Sequence, residues 1–91
     1  MSHGLTSQTA FNRLLYNQQL LRLYREGAHL ATRPYLAGEA RLYHFPAGFF
    51  VEVFFSPFVS MVTHFNTFTD VLGLDSWAGL VELPTDLLPS P

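Results

Sequence analysis

The heptapeptide FFVEVFF at residues 49–55 sets one carboxylate, Glu52, among six large apolar side chains. A carboxylate so placed could act as a base, orient an imidazole, or pair with a guanidinium, and its neighbours decide between these roles. Two aromatic-rich runs, ARLYHF at 40–45 and FFVEVFFS at 49–56, are separated by PAG. Three loop residues ending in glycine are a hairpin signal, with Pro46 at the first loop position and Gly48 at the left-handed one. The register then sets Phe45 opposite Phe49, Tyr43 opposite Val51 and Arg41 opposite Val53, with His44 facing Phe50 and Leu42 facing Glu52.

In that register Glu52 and His44 are diagonal neighbours, close enough for a base-and-orienter pair. Nothing else in the chain supplies a matched nucleophile, a phosphate loop or an oxyanion arrangement, so no catalytic site is assigned and these two are the only candidates. The favoured reading of Glu52 is structural. Arginine offers a flat, bidentate match to a carboxylate, and Arg33 in LATRPY can fold back across the sheet, whereas Arg41 points to the other face. The expected ion pair is Glu52 with Arg33.

Four histidines, His3, His29, His44 and His64, raise the question of a metal. None shows the close spacing that brings two ligands together and no cysteine can complete a set, so no metal and no cofactor are expected, although His44 and His64 could meet across the sheet. Phe50, Phe54 and Trp77 are the side chains that could line a small-ligand pocket.

These residues must be positioned by a few elements. Because side chains alternate along a strand, Tyr43, Phe45, Phe49, Val51, Val53 and Phe55 share one side, the natural core side. Glu52 falls on the other with Leu42, His44, Phe50 and Phe54, as the polar member of that second face. The stretch SPF makes the next turn, and SMVTHFNTF at 60–68 reads as a third strand whose pairing stays open. Residues 28–39, AHLATRPYLAGE, read as a helix exit, a bend and a loop because of Pro34 and Gly38.

Ahead of the sheet, Thr6 or Ser7 can cap a helix through SQTAFNRLLYNQQLLRLYREG, with Arg22 and Arg25 in its last turn and Gly27 just past its end. At about 100° per residue, Ala10, Phe11, Leu14, Leu15 and Leu21 lie on one side and Tyr16, Leu20, Leu23 and Tyr24 largely on the other. A helix apolar on two sides is sandwiched, one side on the sheet and the other on a second subunit, unless it breaks near NQQ and keeps one buried face. After the sheet, TDVLGLDSWAGLVEL reads as short helical turns with Thr69 and Asp75 as candidate caps, followed by PTDLLPSP, pinned by Leu87 and Leu88.

Composition bounds the rest. Ninety-one residues, 48% hydrophobic with nine Phe and only 13% charged, leave little polar material to cover a small surface, so some apolar surface is expected to meet a partner. The net charge of −2 is uneven: the five arginines precede residue 42 with two acids for +3, and the remaining five acids stand without a base for −5. Five arginines with no lysine are thin for nucleic acid, and pairing between the two halves or between subunits is the expected use of the asymmetry. No run approaches a membrane span, no basic start leads an apolar segment, and the lack of cysteine fits a reducing compartment, so a cytoplasmic protein is expected.

Together EGAHLATR, RLYHF, GFFVEVFF, the strand ending in Phe68, and VELPTDL resemble a group of small uncharacterised Bacteroidetes proteins with this order of segments. The resemblance implies a helix, a three-stranded antiparallel meander and a short C-terminal helical segment, and it brings no activity. The chain departs from the group's pattern at SPFVS, where an acidic turn is usual. Phe58 and Val59 there would be exposed on a monomer, which favours a contact.

The sequence therefore predicts one α+β domain over 1–91, with residues 1–5 and 89–91 frayed. Its expected role is a small non-catalytic interaction or regulatory protein, a homodimer joined through Tyr16, Leu20, Leu23, Tyr24, Phe58 and Val59, with a further protein partner possible. The alternative is a small-ligand-binding protein or minor enzyme using Glu52 and His44 on the aromatic face.

Overall fold

A computed structural model describes residues 5–77 of the chain. Its elements are α1 (Gln8–Arg13), α2 (Tyr16–Glu26), β1 (Ala28–Tyr35), β2 (Gly38–Phe45), β3 (Phe49–Ser56), β4 (Met61–Phe68) and a 3-10 helix (Val71–Trp77). The fold is α+β, with four strands in the order β1, β2, β3, β4, each antiparallel to the next. Residues 78–91, which carry the expected tail contacts of Leu87 and Leu88, and most of the segments expected to fray lie outside the described residues.

The meander has four strands rather than three because residues 28–35 pair with β2 instead of looping. Pro34, which argued for a bend, lies on the edge strand, where a missing N–H removes no ladder bond. The turn is the two residues Leu36 and Ala37, and Gly38 opens β2 where it passes close to β3: a Cβ there would stand 2.0 Å from the Phe55 carbonyl oxygen. The β2–β3 hairpin has the expected register throughout, from Phe45 opposite Phe49 to Arg41 opposite Val53. Gly48 takes φ 103° and its N–H donates to Phe45 O at 2.9 Å, so the loop needs glycine at that position.

The N-terminal helix is two helices. Ser7 caps the first, accepting from the Ala10 N–H at 3.1 Å, and the chain then extends through Leu14 and Leu15. On a continuous helix Phe11 and Leu23, twelve residues apart, would differ by about 120° in direction. Two extended residues reset the phase, so both side chains enter the same core with Phe45, Phe49, Val51 and Val53. Glutamines hold the break: Gln18 Oε1 accepts from the Leu15 N–H, and Gln19 Nε2 donates to Phe11 O. The break falls just before the NQQ stretch, and the sandwiched helix is replaced by two helices, each with one buried face.

Both faces of the sheet carry a core. The helices cover the first, and the 3-10 helix covers the second, where Leu74 and Trp77 pack on Ala31, Ala40, Leu42, Phe50 and Phe54. Asp70, next to the expected Thr69, caps that helix by accepting from the Leu72 N–H. Among the described residues the ion pairs are Arg22 with Glu26 and Arg41 with Glu39, both inside the basic half of the chain and not between the halves.

Candidate functional site

Glu52 lies at the centre of β3, facing the 3-10 helix, and is 8% exposed. It is therefore a buried carboxylate, enclosed more fully than its place on a half-wet second face implied, because Trp77 closes over it. Both oxygens are occupied: Oε1 accepts from Asn66 Nδ2 at 2.7 Å and Oε2 from Trp77 Nε1 at 2.8 Å. Asn66 stands directly opposite Glu52 on β4, so strand pairing delivers the first donor. The 3-10 helix delivers the second.

The expected pair of Glu52 with Arg33 does not form. The Arg33 guanidinium lies over the Trp77 ring, 4.6 Å from its centroid, and Nη1 donates to Ser76 O at 3.2 Å. The indole thus stands between the two charges, taking the cation on its face and giving its N–H to the carboxylate. Arg33 did fold across the second face, as its position after the helix suggested, but the flat surface it meets is an aromatic ring. Trp77, expected to line a pocket, instead fastens the 3-10 helix to Glu52. Asn66 carries no signal of its own in the sequence; only the pairing of Phe50 with Phe68 on the third expected strand brings it opposite Glu52.

His44 supplies no orienter for Glu52. Its ring packs against Phe50 with centroids 5.0 Å apart, and neither Glu52 oxygen bonds to it. Nor do His44 and His64 meet. His44 stands opposite Phe50 and His64 opposite Phe54, four residues farther along β3, where its ring stacks on Phe54 at 4.2 Å. Among the described residues no three His, Cys, Asp or Glu side chains gather as metal ligands would. Phe50 and Phe54 are both buried, and Phe54 also lines the hollow between the β1–β2 and β3–β4 turns.

With donors on both oxygens, Glu52→Gln should cost only about 1 kcal/mol, because Asn66 can turn its amide to accept from the new NH2 while Trp77 keeps its acceptor. Glu52→Leu strands both donors and should cost about 1–3 kcal/mol more. Urea denaturation of the two variants checks the order. Equal stability of both with the native chain would mean the carboxylate fastens nothing.

The residues expected at a subunit contact divide. Leu23 is a core residue, because the break turns α2 so that Leu23 faces the sheet. Tyr16 is engaged within the chain, its hydroxyl donating to Val62 O at 2.9 Å and its ring 6.0 Å from Phe65. Leu20 is half-buried, whereas Tyr24 and Phe58 are 87% and 84% exposed and Val59 is exposed too. Running from Val62 to Tyr43 and Phe45, α2 leaves a groove of about 220 Å3 between Leu20 and Leu23 and the sheet residues Tyr43, Val53, Phe55 and Val62, with Arg41 also lining it. Hydrogen bonding first to Glu39 and then to Tyr43 raises the Arg41 guanidinium above its ordinary value. Phe55 also lines a second cavity, about 120 Å3, between the β1–β2 and β3–β4 turns. Phe55 is thus common to the linings of both hollows.

Compared with protein-family models, curated proteins and solved structures, the chain matches none. No helix among the described residues is long and apolar enough to cross a membrane.

Proposed function

We propose that the protein is a small non-catalytic module that acts by association, in the first place with a second copy of itself. The observation that carries this reading is the apolar surface at the hairpin tips, where Leu36 and Phe58 stand almost fully in water, together with the apolar groove beside α2. Exposed apolar surface of this kind on a small domain marks an interaction site. Glu52 supports the same reading from the other side, since its oxygens are spent on Asn66 and Trp77. The small-ligand or minor-enzyme alternative through Glu52 and His44 would require an accessible carboxylate in reach of the imidazole. A bacterial cytoplasmic setting fits the lack of cysteine and the resemblance to the Bacteroidetes group.

Light scattering coupled to size exclusion, over a concentration series to the upper micromolar range, tests the proposal. A mass approaching twice 10.3 kDa is the expected result. A monomer throughout the series overturns it and returns weight to the small-ligand alternative.

A further inference from the structure

We infer that the self-contact is made by the two hairpin tips, with Leu36 of each copy seated in the cavity between the tips of the other. The inference deepens the association reading and rests on it.

Leu36 is the first residue of a two-residue turn and holds φ 52°, while Ala37 does not have positive φ. A turn of this φ pattern favours glycine at its first central position, and a bulky side chain there is strained. The same side chain is 89% exposed. Leucine at this position is thus unfavourable twice in the isolated chain, once for its backbone and once for its contact with water. Strain kept at an exposed apolar residue is the mark of a contact made elsewhere.

The receiving site lies beside it. The cavity between the tips is lined by Tyr35, Gly38, Phe54, Phe55 and Pro57 together with the exposed Leu36 and Phe58 of the same chain, and at about 120 Å3 it is smaller than the ~150 Å3 that admits a benzene ring. It therefore suits a branched aliphatic side chain better than Phe58. Gly38 keeps one wall open, since a Cβ would strike the Phe55 carbonyl and approach Pro57. A knob and a hole on one patch are self-complementary, as a two-fold contact requires.

Size and charge both favour a second copy. Tyr35, Leu36, Phe58, Val59 and Met61 are the exposed large apolar residues at this end. At about 200 Å2 for each fully exposed side chain they offer on the order of 600 Å2 per copy, most of the ~800 Å2 a standard interface takes from each partner. Neither turn, YLAG nor SPFVSM, carries a charge. Among the described residues an anionic bilayer would find no free cation near them, because Arg41 is held by Glu39 and Arg33 by Trp77 and Ser76.

The experiment measures the dimer dissociation constant of the native chain, Leu36→Asn and Leu36→Gly by sedimentation, together with each melting midpoint at dilutions where the monomer prevails. Asn and Gly both tolerate positive φ, so the fold survives. The expected result is a dissociation constant raised at least about tenfold in both variants, with a dilute midpoint equal to the native one or higher. A native dimer whose constant is unchanged in both variants overturns the tip contact and leaves the association reading standing. A lower dilute midpoint also overturns it, because Leu36 would then pack within its own chain. Absence of a native dimer removes both, as does a monomer that co-sediments with phosphatidylcholine vesicles.

Discussion

Replacing Trp77 with alanine should cost about 3–5 kcal/mol, the range for removing a buried large aromatic side chain. Trp77 is 1% exposed and forms the cover of the second core, so its loss opens Leu42, Phe50 and Phe54 to water at once. Two polar groups suffer with it: Glu52 keeps one donor of its two, and Arg33 loses the ring on which it lies. Marginal domains have about 5–15 kcal/mol in all, and a chain of this length belongs toward the lower end. The variant should therefore unfold at a far lower urea concentration than the native chain. Trp77→Phe separates the contributions, since it retains a ring but not the N–H, and should cost about 1–3 kcal/mol. Far-UV circular dichroism follows all three chains, because the native fluorescence comes from the single tryptophan. A midpoint for Trp77→Ala within error of the native one would show that the 3-10 helix does not fasten the second face.

Phe11→Ala should cost a similar amount, about 3–5 kcal/mol. The Phe11 ring is fully buried and sits among Phe45, Phe49 and Phe65, with centroids 5.3, 6.1 and 5.6 Å away. The six residues of α1 are too few to stay helical by themselves, so docking through Phe11 is what orders them. Gln8 and Asn12, which bond Thr67 from the same helix, would be released with it. Hydrogen exchange adds a local readout. The Phe11 and Leu14 amides, which bond to Ser7 O and Phe11 O, should lose protection. A cost under about 1 kcal/mol would mean that α1 can detach with little effect on the sheet, and that Phe45 and Phe49 find cover without it.

The two substitutions act on opposite faces of one sheet, and this arrangement explains the heptapeptide FFVEVFF. β3 is buried at its first six residues because it is a central strand between two cores. A strand covered on both sides reads as a nearly unbroken apolar run, and FFVEVFF is such a run. Glu52 is tolerated there because it has a donor from the neighbouring strand and another from the covering helix. A carboxylate so enclosed is a structural group, and the exposed apolar residues lie at the ends and flank of the sheet.

The elements whose signals are local can be read from the residues alone. The β2–β3 register follows from three loop residues and the left-handed glycine, a helix cap at Thr6 or Ser7 from the helical run that follows, and the first core face from alternation along β3. Each depends on neighbours a few positions apart, where sterics and hydrogen bonding act without the rest of the chain. The remainder is visible only in the folded molecule. The extended break at Leu14 and Leu15 has no proline or glycine to announce it and exists because Phe11 and Leu23 must reach one core. β1 is a strand because β2 offers it an edge on which Pro34 is harmless. Trp77 reaches Glu52 from 25 residues away, and its ring occupies the space in which Arg33 was expected to meet the acid. These outcomes were fixed by packing between distant segments, which neither periodicity nor spacing records.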